Sequence, residues 1–432
     1  MKLILTLSIF LFSFLTGHAQ SDKLMPHQMW QDLDILYASW TNLHPGLYRY
    51  LTPNELETVF TKARNFCATD RTAKEFYLLL AGICEKIKCG HSFLNPANLG
   101  KEAKKTYLPS VVIPLLFILD DKNNIIITHN LTGNQKIKKG DQLISINGIS
   151  TKRIIDSLLN VSRSDGQHAM GKKLFNINET PDELTSYSLF DIFFPLFFKA
   201  PEKPLIRFIS CNTGKEYSLP VQFISPEERE NIYGQTVGKI PSGRELWDFK
   251  FPTNNTAYMK FGTFAFWNDD FNTSRYIDSV FNITIANNSI RNLIIDIRNN
   301  EGGDNSGDYI LSYITENKIA CDGAVNRYYR YLSIPDSLKK FLDTWDPSFK
   351  KDKDPSLFEK TADGLYKIKS NTDACNDIIP QNKTFKGKVY LITNAKNSSA
   401  GFEMAKDFKE NKFEIYDELM LIATDPTNSR IS

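Results

Sequence analysis

The sequence predicts an α/β protein of several domains: a helical N-terminal domain, a β-rich domain and a C-terminal α/β domain with a parallel sheet. Amphipathic helix spacing fills the first hundred residues, and short apolar runs between polar turns follow. The last third then alternates apolar strands with a helix pattern. We predict a signal peptide over 1–19 and domains over 20–105, 106–250 and 251–432.

The composition is that of a globular protein and argues against some functions. Of 432 residues, 41% are hydrophobic and 24% are charged, and the net charge is +2 without a basic block. This balance argues against a dedicated nucleic-acid surface. Neither a metal nor an organic cofactor is indicated, and the cysteine spacing fits no zinc pattern.

The first residues predict export. Met1-Lys2 is a short basic start, Leu3 to Leu15 is apolar, and Gly17 to Ala19 supplies small residues before a cleavage site. The apolar run is too short to span a membrane comfortably, and no later run reaches that length. We therefore expect a periplasmic or secreted protein with no membrane span after signal cleavage.

Export permits disulfides, but the cysteines are sparse for this length. Cys84 and Cys89 lie five residues apart on a predicted helix, on different faces, and need not pair. We expect buried free thiols at several of the six positions, which are Cys67, Cys84, Cys89, Cys211, Cys321 and Cys375.

Helix start signals organise the first domain. Apolar residues recur at helical spacing from Met29 to Leu43, and Thr52 and Thr72 each begin a capping box that predicts a further helix. Gly90 is placed to end the third helix. The predicted buried stripe of that helix consists of Phe76, Leu79, Leu80, Ile83 and Ile87.

His91 follows that predicted helix end directly. A histidine beside a glycine at a helix end is often only a surface residue or a cap for the last carbonyls. The functional alternative is a general base held on a turn, because an imidazole titrates near ambient pH. The residues alone leave both interpretations open.

The next segment is rich in strand patterns. Val111 to Leu119 and Ile125 to Thr128 predict a hairpin, and Ile137 to Gly148 adds a Gly-Asp turn, an apolar strand and an Asn-Gly turn. The last pattern resembles PDZ domains, which bind peptide ends at a sheet edge. A β-rich domain without a peptide site fits equally well, and 165–250 is interpreted as the rest of this domain plus a connector.

The last domain begins with a strand, a helix and a second strand, which predicts a parallel crossover unit. The second strand, Leu293 to Ile297, runs into the polar turn Arg298 to Asp304, which contains Gly302 and Gly303. Glycines there allow backbone N–H groups to converge on a negatively charged atom. An ordinary strand-to-helix turn is the alternative.

A second buried-type strand, Lys388 to Thr393, leads through a polar turn to Ser399 and a predicted helix. A serine at such a helix N-terminus can expose its hydroxyl where the first helical N–H groups stabilise an oxyanion. This is the geometry of a nucleophilic serine. The commoner role of Ser398 or Ser399 there would be to cap the helix.

Together these residues resemble the tail-specific, or C-terminal-processing, serine peptidases, whose catalytic domain has the ClpP/crotonase-like fold. The Arg-Asn-Asn-x-Gly-Gly turn of that family is matched by Arg298 to Gly303, and its Ser-Ala-x-Glu motif approximately by Ser399 to Glu403. The resemblance implies a serine endopeptidase acting on peptides, unfolded proteins or C-terminal tails. It leaves the oligomeric state open.

The resemblance also implies roles for single residues. Ser399 would be the nucleophile, and the N–H of Ala400 with one from Gly302 or Gly303 would form the oxyanion hole. The base in this family is a lysine after the serine or, in the tricorn-like branch, a histidine in a Ser-His turn. No lysine or histidine follows Lys412, so we favour His91, which matches that histidine in position.

The C-terminal part differs from the family pattern. The segment Phe413 to Ser432 lacks the expected glycine-rich turn and further strands, which suggests a truncated or shifted reading frame near 413 and an incomplete catalytic domain. A catalytically inactive peptide-binding or scaffolding relative is therefore the alternative function. A crotonase-type acyl-CoA enzyme fits export poorly.

Overall fold

A computed structural model describes most of the chain after the predicted signal peptide. The described residues are 23–95, 99–166, 170–184, 188–267, 269–320, 328–344, 347–369, 377–411 and 413–417. The predicted signal peptide, Cys321, Cys375 and the tail beyond 417 lie outside them.

The first part of the chain is helical, as predicted. Its elements are β1 (Lys23–Leu24), α1 (Pro26–Leu43), α2 (Pro53–Phe66), β2 (Arg71–Thr72), α3 (Ala73–Ile87) and α4 (Lys101–Tyr107). Both predicted capping boxes are present, since Thr52 and Thr72 accept hydrogen bonds from the N–H groups of Glu55 and Glu75.

The predicted end of α3 is wrong. The helix ends at Ile87, and Lys88, not Gly90, takes the left-handed conformation with φ of 53°. Gly90 serves a different purpose, because a Cβ at this position would lie 2.4 Å from a carboxylate oxygen of Asp165. Cys89 consequently lies beyond the helix that carries Cys84.

Helix α3 is buried on more than the predicted stripe because it packs between two cores. Phe76, Ile83 and Ile87 join the core of the helical part, whereas Tyr77 and Ala81 join the core of the β-rich part. Two of the predicted stripe residues, Leu79 and Leu80, are only partly buried. The helix thus joins the two parts of the chain.

The β-rich part is built on an antiparallel sheet in the order β3-β4-β5-β7-β8. The first strand begins at Leu115, later than the predicted Val111. The segment 165–250, interpreted above as the rest of this domain plus a connector, supplies the last two strands of this sheet as well as helices. The elements are β3 (Leu115–Leu119), β4 (Ile125–Asn130), β5 (Gln142–Ile146), β6 (Ile149–Ser150), α5 (Thr151–Leu159), α6 (Met170–Phe175), α7 (Leu189–Phe197), β7 (Leu205–Ile209), β8 (Glu216–Pro220) and α8 (Pro226–Thr236).

The last part has a second sheet, in the order β16-β15-β11-β10-β9. All its neighbouring strands are parallel except β9, which lies antiparallel at the edge, and the predicted crossover unit is confirmed as β10-α9-β11. The elements are β9 (Trp247–Thr253), β10 (Thr256–Phe261), α9 (Thr273–Ala286), β11 (Asn292–Asp296), α10 (Ser306–Ser312), β12 (Tyr328–Tyr329), α11 (Asp336–Lys339), β13 (Phe358–Lys360), β14 (Tyr366–Ile368), β15 (Lys388–Thr393), α12 (Ala400–Glu410) and β16 (Glu414–Asp417).

The aromatic residues from Phe261 to Trp267 belong mainly to the core. Phe261, Phe264 and Phe266 are buried, whereas Trp267 is 64% exposed. The insertion between α10 and β15 carries the small antiparallel sheet β12-β14-β13. It reaches the helical part, where Arg330 Nε donates to the carbonyl oxygen of His44 at 2.7 Å. Within the described ranges, every helix is too short or too polar for a bilayer crossing.

Candidate active site

Strand register brings the two predicted turns together. Strands β11 and β15 are parallel neighbours in which Asp296 is paired with Ile392, so both strands end at the same edge of the sheet. The Arg298 to Asp304 turn and the turn before Ser399 therefore leave the sheet side by side. Ligand sites in α/β sheets are typically found at this edge.

Asparagine side chains join the two turns. Asn299 donates its backbone N–H to Asn394 Oδ1 at 3.1 Å, and Asn394 Nδ2 donates to Asn299 Oδ1 at 2.8 Å. Asn397 Nδ2 donates to the carbonyl oxygens of Ile297 and Asn300 at 2.5 and 3.0 Å. These short polar side chains form hydrogen bonds with backbone groups beyond the strand ends, which have no partner in a neighbouring strand.

The start of the first turn is held by a buried carboxylate. Asp296 is fully buried, and its oxygens accept hydrogen bonds from the Arg298 guanidinium at 2.7 to 3.1 Å and from Tyr258 Oη at 2.8 Å. Burial alone would raise the pKa of Asp296, but the hydrogen bonds from Arg298 and Tyr258 lower it below its ordinary value. Arg298 thus ties the start of the turn to the end of β11.

Ser399 is the last residue before α12, and its side chain is exposed. Its φ of 51° and ψ of −131° lie outside the regions that a residue with a Cβ normally adopts. Its side chain makes no capping hydrogen bond, so the interpretation of Ser399 as a helix cap is wrong. Strain at a nucleophile position costs about 1–3 kcal/mol and is retained where the surroundings enforce it.

Gly302 packs directly against this serine. A Cβ on Gly302 would lie 2.7 Å from Ala400 N and 2.7 Å from Ser399 Cβ. The N–H of Gly302 donates to Asn300 Oδ1 at 2.8 Å, whereas within the described residues the N–H groups of Gly303 and Ala400 donate to no protein acceptor. These two N–H groups are therefore the ones left for the predicted oxyanion hole.

A cavity of about 350 Å³ opens beside the two turns. Glu301 and Lys396 come from the turns, and Ser92 and Phe93 come from the segment after His91. The remaining lining residues come from α3 and the β-rich part, and they are Ala81, Cys84, Glu85, Leu94, Val161, Arg163, Asn176, Asp182, Leu189, Ile192 and Phe193. The structure thus places the His91 segment and the serine turn around one cavity, as a ligand cleft between domains requires.

Charged groups of this cavity are paired across the domains. Arg163 donates to Glu301 at 2.6 Å, and Asn299 Nδ2 donates to Asp182 Oδ2 at 3.1 Å. Glu85 accepts from Lys173 at 2.8 Å. The contacts of Arg163 and Asp182 fix the β-rich part against the first turn, and the Glu85–Lys173 pair fixes it against α3.

His91 lies on a turn that the β-rich part holds in place. Gly90 N–H donates to the Asp165 carboxylate, which also accepts from the buried Lys172 at 2.8 Å. A hydrogen bond to the Cys89 thiol raises the pKa of His91, burial opposes this shift, and Asp165 adds to it. Among the described hydrogen bonds, none joins His91 to Ser399, so the role of His91 stays a prediction.

Residues 255–416 match the model of peptidase family S41. The match includes both turns and confirms the resemblance to a peptidase family over this part of the chain. The matched segment begins just before β10 and ends in β16, the last described strand. No curated protein matches the sequence significantly.

Solved structures show the same mixed α/β multidomain fold. The chain is similar to mature CPAF complexed with lactacystin, with a TM-score of 0.59 and 12% identity over 91% of this chain and 84% of CPAF. Another structure of mature CPAF gives 0.56 and 12% identity over 91% and 83%. The photosystem II D1 C-terminal processing protease gives 0.36 and 11% identity over 91% and 81%.

Several site residues were not predicted from the sequence. Asn394 and Asn397 had a local signal, because they follow a buried strand just as Asn299 and Asn300 do. The contacts of Asp182 and Arg163 with the first turn had none, since they join residues more than a hundred positions apart. His44, whose Nε2 lies 3.1 Å from Ser92 Oγ in the His91 turn, had no local signal beyond its place after the first predicted helix.

Proposed function

We propose that this chain is an exported serine endopeptidase that cleaves peptide bonds of unfolded proteins or C-terminal tails. Ser399 Oγ attacks the scissile carbonyl carbon and forms an acyl-enzyme, which water then hydrolyses. His91 takes the proton from Ser399 Oγ and returns it to the leaving amine. The N–H groups of Ala400 and Gly303 stabilise the oxyanion.

The observation that carries this proposal is the backbone of Ser399. A serine that only ends a loop has no reason to adopt φ of 51° and ψ of −131° with an exposed, uncapped side chain. Here that conformation coincides with the close approach of Gly302, on which an added Cβ would lie 2.7 Å from Ser399 Cβ, and with N–H groups that have no acceptor among the described residues. The match of residues 255–416 to a peptidase family supports the same reaction class.

The cavity beside the two turns supports a peptide substrate, because both apolar and polar side chains line it. It lies between these turns, the helical part and the β-rich part, so an extended chain segment can place a side chain there while its backbone passes Ser399. A segment buried inside a folded domain cannot extend into it. The proposed substrates are therefore unfolded regions and chain ends.

The test is labelling of the purified chain with a fluorophosphonate, together with hydrolysis of fluorescent β-casein. Ser399→Ala should abolish both activities. Ser398→Ala is the matched control, because it removes the neighbouring hydroxyl, which donates to the Glu301 carbonyl at 3.3 Å and has no role in the proposed reaction. His91→Ala should lower the labelling rate about a hundredfold or more. Lactacystin, the compound complexed with CPAF in its solved structure, should compete with the label.

The alternative of an inactive peptide-binding relative predicts a different result. A folded wild-type chain that is not labelled, yet binds β-casein equally well with and without Ser399, would refute the peptidase proposal. Labelling that survives in Ser399→Ala would place the nucleophile elsewhere.

A further inference from the structure

The base and the nucleophile of the proposed reaction lie on turns from different parts of the chain. His91 lies on the turn after α3, in the helical part, whereas Ser399 directly precedes α12, beside the first turn. A displacement of about 1 Å between reacting groups can reduce a rate about a hundredfold. A reaction between these two residues therefore needs a further group that holds their turns at a fixed separation.

Arg163, which lies between α5 and α6, contacts both sides of the site. Its Nη2 donates to Glu301 Oε1 at 2.6 Å, and Glu301 directly precedes the two glycines of the first turn. Its guanidinium carbon lies 4.6 Å from the centre of the Phe93 ring, two residues after His91. One side chain therefore joins the turn of the predicted oxyanion hole to the turn of the predicted base.

The backbone around Arg163 is itself fixed against the end of α3. Asn176 Nδ2 donates to the carbonyl oxygen of Arg163 at 3.1 Å. Three residues further on, the N–H of Gly166 donates to the carbonyl oxygen of Lys88 at 3.0 Å. The guanidinium of Arg163 thus extends from a backbone that is held at both ends.

Asp165 adds a third contact between the 163–166 segment and the His91 turn. Its carboxylate accepts hydrogen bonds from the N–H of Gly90 and, at 2.8 Å, from Lys172 Nζ. The Lys172 side chain is only 8% exposed, so this carboxylate has a nearly buried cationic partner. The 163–166 segment therefore holds the His91 turn through Asp165 and Gly166, and it reaches the first turn through Arg163.

We propose that the 163–166 segment positions His91 against Ser399, and that the Arg163–Glu301 ion pair is the contact through which it does so. The expected effect on Ser399 rests on the proposed function, whereas the contact of the segment with both turns does not. Arg163 acts through Glu301 and Phe93, which neighbour the reacting groups in the chain. It is therefore a positioning residue and not a catalytic one.

The exposure of the ion pair makes this proposal testable without unfolding the protein. The side chains of Arg163 and Glu301 are 30% and 38% exposed, and solvent screens a pair of this kind. Its loss should therefore leave the fold intact and change mainly the separation of the two turns. A large effect on the reaction with a small effect on stability is the result that a merely structural role would not give.

The first experiment compares hydrogen exchange in the intact wild-type chain and in Arg163→Met, resolved by mass spectrometry to peptides covering 88–94 and 298–304. Methionine keeps an apolar side chain of similar length and removes the charge. Exchange in both peptides should become about threefold to tenfold faster, because a charge-assisted hydrogen bond and a cation–π contact are lost. Unchanged exchange in either peptide would overturn the proposal.

Arg207→Met is the matched control for this measurement. Arg207 pairs with Glu216 between β7 and β8, and these two side chains are 47% and 55% exposed. Its loss removes the same kind of ion pair from the β-rich part but should change the exchange of neither peptide. The comparison needs no peptidase activity, so it remains decisive even if Ser399 proves unreactive.

The second experiment measures the second-order rate of labelling by a small fluorophosphonate. Arg163→Met should lower this rate about tenfold to a hundredfold, and Arg207→Met should leave it unchanged. Arg163→Lys should recover most of the loss, because the contact with Glu301 uses one nitrogen and an ammonium group can replace it. Equal rates in Arg163→Met and Arg207→Met, or no recovery in Arg163→Lys, would overturn the role of the ion pair.

Double variants test whether Arg163 acts through the groups named above. In the His91→Ala background, Arg163→Met should cause almost no further loss of labelling, since the base that it positions is absent. Glu301→Ala should lower the rate about as much as Arg163→Met, and the combination of the two should lower it no further. Losses that multiply in either combination would overturn the proposal.

Direct binding of substrate by Arg163 would give a different pattern. Arg163 lines the cavity, where a guanidinium could also bind a carboxylate of the substrate. Arg163→Met would then slow the hydrolysis of β-casein but not labelling by the small probe, and this result would overturn positioning. A wild-type chain that is not labelled at all would refute the proposed peptidase function, and hydrogen exchange would still decide the role of the 163–166 segment.

Discussion

Replacement of Gly302 by alanine tests the geometry of the site most directly. The added Cβ would lie 2.7 Å from both Ala400 N and Ser399 Cβ, and 3.0 Å from Ser398 O. Two of these three atoms belong to the backbone, so a rotamer change cannot relieve the contact. The added methyl group would lie between the first turn and the Ala400 N–H of the predicted oxyanion hole.

The cost has two parts that can be separated. An alanine at the φ of +97° found at Gly302 is strained by about 1–2 kcal/mol. Obstruction of one oxyanion donor adds a loss of about 100- to 1,000-fold in the labelling rate. Gly364→Ala, in the insertion, provides the matched control, because Gly364 has φ of +83° but an added Cβ would meet no atom within 4 Å.

The assay is the second-order rate of fluorophosphonate labelling, normalised to folded protein from urea unfolding. Both variants should lose the stability that the positive φ costs an alanine, Gly302→Ala should lose more because its Cβ also meets backbone atoms, and only Gly302→Ala should lose labelling. Equal labelling in Gly302→Ala and Gly364→Ala would refute the assignment of this space to the oxyanion hole.

Two further predictions concern stability. Asn300→Ala should lower the free energy of unfolding, measured in urea, by about 2–4 kcal/mol, because it leaves the Gly302 N–H and the Phe261 carbonyl without their partners at 2.8 and 2.9 Å. A decrease below about 1 kcal/mol would contradict this. Burial, then Asp308 and Glu403, raise the pKa of Asp407 from 3.8 to about 7, so its ionisation destabilises the fold increasingly as pH rises from about 4 to 7. Asp407→Asn should therefore stabilise the protein by about 2 kcal/mol at pH 8, after discount for partial exposure, and by almost nothing at pH 4; an equal gain at both pH values would exclude this cause.

Local signals in the sequence determined where most elements begin. The boxes at Thr52 and Thr72 mark the starts of two helices because their side chains satisfy N–H groups within three residues. The apolar run from Leu293 and the run from Lys388 to Thr393 are neighbouring parallel strands, in which alternate residues such as Leu293, Ile295, Val389 and Leu391 are buried and most of the others are half-buried. Ser399 and Gly302 were identified in the same way, from the turns that follow these strands.

Contacts between distant parts of the chain decided the rest. Strand register placed Gly302 against Ser399, and it imposed the strained backbone that no local pattern indicates. Gly90 does not end α3, because Asp165 approaches it from the β-rich part. His44 follows α1 and Ser92 follows α3, so their contact at 3.1 Å depends on tertiary structure. Local sequence specifies which groups can donate, accept or ionise, whereas packing determines which of them meet and how strongly they perturb one another.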